Sequence, residues 1–118
     1  MSIKVDNNLG SINITKDVIA NIAGSSAVEC YGLVGMASRS ATSGIVNLLK
    51  RENLSRGVKI EESEEGLIID LFVIVQFGTK ISVVAENIID KVKYNVENQT
   101  GLKVKKVNIN IEGMKVQE

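Results

Sequence analysis

The chain has 118 residues, 44% of them apolar but only 3% aromatic, which predicts a single domain around an aliphatic core. Fourteen basic residues balance fourteen acidic ones, so there is no basic excess of the kind nucleic-acid backbones demand. No histidine and a single cysteine exclude an intrachain disulfide, a zinc site and a Cys-His nucleophile, and make a reducing, cytoplasmic location the simplest reading.

Residues 1–9 read as a flexible lead-in, and residues 10–114 as one α+β domain. The segment from Gly10 to Thr15 alternates polar and apolar residues, as a short strand does. Thr15 is a candidate N-cap for an amphipathic helix from Lys16 to about Tyr31, which Gly32 would end. Leu33 to Met36 is compact and apolar, Ala37 to Gly44 reads as a loop, and Ile45 to Arg51 as a short helix. Val58 to Glu61 alternates as a strand with one wet face, and Glu61 to Gly66 makes a hairpin connection. Leu67 to Phe77 is the longest strand, and its near-continuous apolar character predicts a central position. Thr79 is a candidate cap for a second helix over Lys80–Gln99, where Ile81, Val84, Ala85, Ile88, Val92 and Val96 share one face. Val107, Ile109 and Ile111 mark the last strand. The predicted order is β-α-(short α)-β-β-α-β, a two-layer sandwich with two main helices on one face of a mostly antiparallel sheet.

Strand parity divides the long strand into two faces. Leu67, Ile69, Leu71, Val73, Val75 and Phe77 are wholly apolar and belong under the helices. The opposite set is mixed, and its apolar members Ile68, Phe72 and Ile74 form a stripe on an otherwise wet face that bears Lys59, Glu61, Lys106, Asn108 and Asn110, with Ser11 and Asn13 from the first strand. That stripe is a candidate interface for a partner or a second copy, the alternative cover being the chain's own segment Ile45-Val46-Leu48-Leu49.

Little else in the chain offers chemistry. Cys30 reads as a small core residue. Glu61, Glu62, Glu64 and Glu65 read as a solvated turn rather than a cation site. No cofactor motif is present. Gly32-Leu33-Val34-Gly35 has the spacing of a KH-type RNA-binding loop, and Arg39, Lys50, Arg51 and Arg56 could supply a basic patch beside it. The alternative is a helix cap followed by an apolar turn, which the Leu-Val centre favours, so nucleic acid is the weaker reading. The N-terminus lacks the apolar stretch of a signal peptide, and no window is apolar enough to span a bilayer.

Gly10-Ser11-Ile12 before Val18 to Ala23, then Glu29-Cys30-Tyr31-Gly32-Leu33-Val34-Gly35-Met36, resembles the start of the alkaline-shock (envelope stress response) family of Gram-positive bacteria. Arg56 to Ile60, the join Gln76-Phe77-Gly78, and the closing Val107 to Gly113 extend the resemblance across residues 9–114. It implies a cytoplasmic, non-enzymatic protein linked to cell-envelope homeostasis, without catalytic residues or cofactors. It also implies an integral membrane protein as partner for some members; self-association as a homo-oligomer is the companion expectation, and with no span in the chain direct membrane insertion is not expected. Lacking an extended charged tail, the chain resembles a short housekeeping-type member.

Overall fold

The structure, a computed structural model, describes residues 2–37 and 51–116. In chain order these form β1 (Ser2–Asn7), β2 (Gly10–Thr15), α1 (Lys16–Val28), β3 (Leu33–Met36), a 3-10 helix (Arg51–Gly57), β4 (Val58–Ser63), β5 (Gly66–Gln76), α2 (Ile81–Thr100) and β6 (Val104–Lys115). The short helix expected from Ile45 lies outside the described residues, except for Arg51, which opens the 3-10 helix.

β5 is the centre of the main sheet, as its apolar run predicted. On one edge it pairs antiparallel with β4 over residues 66–71, then with β3 over residues 73–75. On the other edge it pairs with β6, and this pairing is parallel. The parallel register follows from α2, which carries the chain from the end of β5 back to the start of β6. Leu67, Ile69, Leu71, Val73 and Val75 are buried, and the helices cover them with Ile19, Ala23 and Ala27 of α1 and Val84, Ile88, Val92 and Val96 of α2. Each fully buried aliphatic side chain contributes about 1.5–3 kcal/mol, so these two rows dominate the stability of the fold. The α+β architecture with both long helices on one sheet face is therefore as expected.

Several expectations are corrected. Within the expected lead-in, Ser2–Asn7 are ordered as β1, which pairs with β2 in a hairpin of its own, from Ser2 opposite Thr15 to Asn7 opposite Gly10. That hairpin stands apart from the main sheet, so Ser11 and Asn13 do not share a face with Lys59 and Asn108. Leu33 to Met36 is a strand rather than a turn. Phe77 lies one residue beyond β5 and is 63% exposed, not core. Thr15 does cap α1, accepting from the Val18 amide at 3.3 Å. Thr79 does not cap α2, since its hydroxyl donates to the Gln76 carbonyl at 2.7 Å and Lys80 occupies the cap position. α1 ends at Val28, and Gly32 serves the next turn instead, with φ +90°.

Candidate interaction surface

The strand directions give the molecule two ends. β5 and β6 run toward one of them, which we call the tip; β3 starts there, α1 finishes there and α2 begins there. Three joins close the tip. The Gln76 amide donates to the Gly32 carbonyl at 2.8 Å, and the Phe77 amide to the Lys115 carbonyl at 2.9 Å. Gly32 packs so closely on α2 that a Cβ there would stand 2.6 Å from Val84 Cγ2.

These joins bring together large apolar side chains from separate segments. Tyr31 is 82% exposed, Phe77 63% and Val116 65%, and Ile81, Val83 and Met114 are about half exposed. Lys80 and Lys115 stand exposed among them. Six large apolar residues thus lie at one end of the molecule, three of them mostly exposed and three about half exposed. Large exposed apolar patches on soluble proteins mark interaction sites.

The face of the sheet away from the helices is different. Its central strand carries Ile68, Asp70, Phe72 and Ile74. Asp70 accepts from Asn108 Nδ2 at 2.7 Å, and Lys59 pairs with Glu61 at 2.9 Å, so its polar groups satisfy one another. The expected stripe is less open than its sequence suggested. Ile68 and Phe72 are half-buried, and Ile74 is buried at 8% exposure.

The RNA-binding alternative loses its loop. A phosphate-clamping loop needs accessible backbone between its glycines. Here Gly32 is buried against Val84, while Gly35 lies in β3 opposite Ile74. Of the basic residues offered for that patch, Arg56 is exposed at the end of the 3-10 helix. Arg39 and Lys50 lie outside the described residues.

Enzymatic features are equally sparse among the described residues. A shallow cleft of about 140 Å³ is lined by Ile3, Glu62, Ser63, Leu67, Leu102 and Lys103, against the roughly 300–1,000 Å³ of a typical ligand pocket. The described residues contain no group of three acidic, cysteine or histidine side chains placed to hold a metal. Cys30 is half-buried, its Sγ 3.6 Å from the Ser26 carbonyl. Burial pushes its thiol up from the ordinary 9.0, against the pull of Lys91, and Glu29 adds to the rise. A thiol held protonated is a poor nucleophile. No described helix is long and apolar enough to cross a membrane.

The tip residues were missed in the sequence for a definite reason. Parity assigns Phe77 to the core only if the strand continues to it, and the pairing stops at Gln76. Met114 and Val116 alternate with Lys115 at the end of β6, a pattern that gives no warning that the helix layer has ended.

Comparison with known proteins agrees with the resemblance. Residues 4–116 match the sequence model of the alkaline-shock protein 23 family, described as having a cell envelope-related function. The chain is 47% identical to the protein YloU of Bacillus subtilis over 98% of both chains. It is 39% identical to the protein Spy1614 of Streptococcus pyogenes, over 98% of this chain and 97% of that one. Among solved structures it resembles two MamM CTD variants, each at 12% identity and TM-score 0.48, over 86% of this chain and 95% of theirs.

Proposed function

The chain belongs to the alkaline-shock protein 23 family, of cell envelope-related function, and on that premise we propose that it is a non-enzymatic interaction module at the cytoplasmic side of the cell envelope. It works by self-association and by docking on an integral membrane protein, and so serves envelope homeostasis or the response to envelope stress.

The observation that carries this reading is the tip, where Tyr31, Phe77 and Val116 project into water beside Lys80 and Lys115. Their burial against a partner would supply the main driving force for association. Backbone hydrogen bonds from Gln76 to Gly32 and from Phe77 to Lys115 tie these segments to the strand ends, which lowers the entropy they lose on binding. Ile68 and Phe72 on the open sheet face are a second, half-buried surface available to the same role.

The test is a photo-crosslinking side chain placed at position 77 in growing cells. The expected product is an adduct with an integral membrane protein, lost when Tyr31 and Val116 are both replaced by serine. A tip that forms no protein adduct, in cells where the protein is abundant, overturns the docking role.

A further inference from the structure

The β1–β2 hairpin is the least supported part of the described chain. A two-stranded sheet on its own is marginally stable, and three or more strands or a packed layer are usually needed. Here buried Ile3 and half-buried Ile14, which face each other in the register, pack the hairpin against the body. Farther out Ile12 is 55% exposed, and Leu9 in the turn is 99% exposed. The molecule measures 55 × 28 × 23 Å, longer than the about 36 Å that eleven-residue β5 spans. The Cα radius of gyration, 14.8 Å, exceeds the ~13.5 Å of a compact chain of this length.

Among the described residues, β1 pairs with β2 alone. Its outer edge is therefore a template for one more strand. The charges on β1 indicate which strand fits. Lys4 and Asp6 lie on the same side of the strand, with Nζ and Oδ1 3.7 Å apart, and both are well exposed. We propose that β1 pairs antiparallel with β1 of a second copy about Val5, giving a four-stranded sheet β2–β1–β1–β2 across a two-fold axis. In that register Lys4 stands opposite the partner's Asp6, and the symmetry repeats the pair. Moving the register by two residues in either direction sets Lys4 opposite Lys4, or Asp6 opposite Asp6, and like charges directly opposite are destabilising. A shift of one residue turns the apolar side of one strand to the polar side of the other. The charge pattern thus selects a single self-pairing register, and it makes the two hairpins support each other. This pairing rests on the self-association part of the proposed function and names its surface.

The experiment is sedimentation equilibrium of the full chain at low salt, with Lys4→Glu, Asp6→Lys and the combined Lys4→Glu/Asp6→Lys. The wild type is expected to dimerise. Each single variant sets like charges opposite in its own homodimer and weakens dimerisation about tenfold. The combined variant restores it to within a few-fold, because both opposite-charge pairs return with exchanged signs. An equimolar mixture of the two single variants forms a heterodimer tighter than either homodimer. All these differences shrink as salt is raised. Both residues are exposed, and circular dichroism should show that every variant keeps the fold. A wild-type dimer indifferent to the charge changes overturns the hairpin pairing and leaves self-association standing on another surface. A wild type that stays monomeric overturns both.

Discussion

Gly32 and Gly78 both hold left-handed backbone, at φ +90° and +92°, but only Gly32 meets a neighbour. A methyl group at Gly78 touches nothing within 4 Å, whereas one at Gly32 lies 2.6 Å from Val84 Cγ2. Val84 is buried and β-branched, so it has little freedom to rotate away. Gly78→Ala should therefore cost about 1–2 kcal/mol from backbone alone. Gly32→Ala should cost at least about 1 kcal/mol more from overpacking. Urea unfolding of the two variants separates the contributions; equal losses would mean that the packing of Gly32 on α2 is not tight. Cys30 gives a second prediction at this scale. Its thiol is raised above 9.0 chiefly by burial, and Lys91 alone pulls it down. Its reaction with a disulfide reagent at pH 8 should be slower than that of a peptide cysteine, and slower again in Lys91→Ala. The linkage has a definite sign. The fold favours the neutral thiol, so this contribution is complete below about pH 9 and is lost as pH rises through the folded value. A Cys30 that labels as fast as the peptide would contradict the burial.

At the scale of elements, the long periodic segments were legible and the short ones were not. α2 shows its buried face as Val84, Ile88, Val92 and Val96, a spacing of four that survives any uncertainty about the helix ends. Ile88→Ala should cost about 2–5 kcal/mol, and Tyr94→Ala, at a residue 67% exposed on the same helix, should fall within about 0.5 kcal/mol of wild type. Thermal melts of the pair check the register, and a large loss at Tyr94 would rotate the helix. β5 announced its buried side by parity because eleven residues repeat the pattern. β3 has four residues and a register shift between Leu33 and Gly35, so no alternation accumulates. β1 does alternate, through Ile3, Lys4, Val5 and Asp6. Its partner, however, is β2 across a short turn rather than the main sheet, and its share of the core is Ile3 with Ile14 packed against it, too few positions to mark a buried face. The site was illegible for the complementary reason. Local periodicity shows which face an element buries, but not where the layer above it stops, and the tip is the place where the helix layer stops.

At the scale of the molecule, the apolar groups of the open sheet face and those of the tip are of two kinds. Those on the open sheet face, Ile68 and Phe72, are half-buried within this chain, and Ile74 beside them is buried. Those that lead the tip, Tyr31, Phe77 and Val116, are largely in water. The first kind already contributes to folding in proportion to the area it hides. The second contributes almost nothing to folding, so its retention needs a partner to explain it. Replacing Tyr31, Phe77 and Val116 together with serine should therefore leave the unfolding free energy within about 1.5 kcal/mol of wild type, since exposed substitutions each cost about 0.5 kcal/mol or less. It should also abolish recovery of the protein with the membrane fraction of cells. Replacing Ile68 and Phe72 with serine should do the reverse, lowering stability by about 1–3 kcal/mol and leaving membrane recovery intact. Urea titration and cell fractionation on the same two variants decide the matter. If the tip variant unfolds early, the tip is structural and the docking surface lies elsewhere. If the sheet-face variant alone loses membrane recovery at unchanged stability, the interface is the Ile68–Phe72 stripe after all.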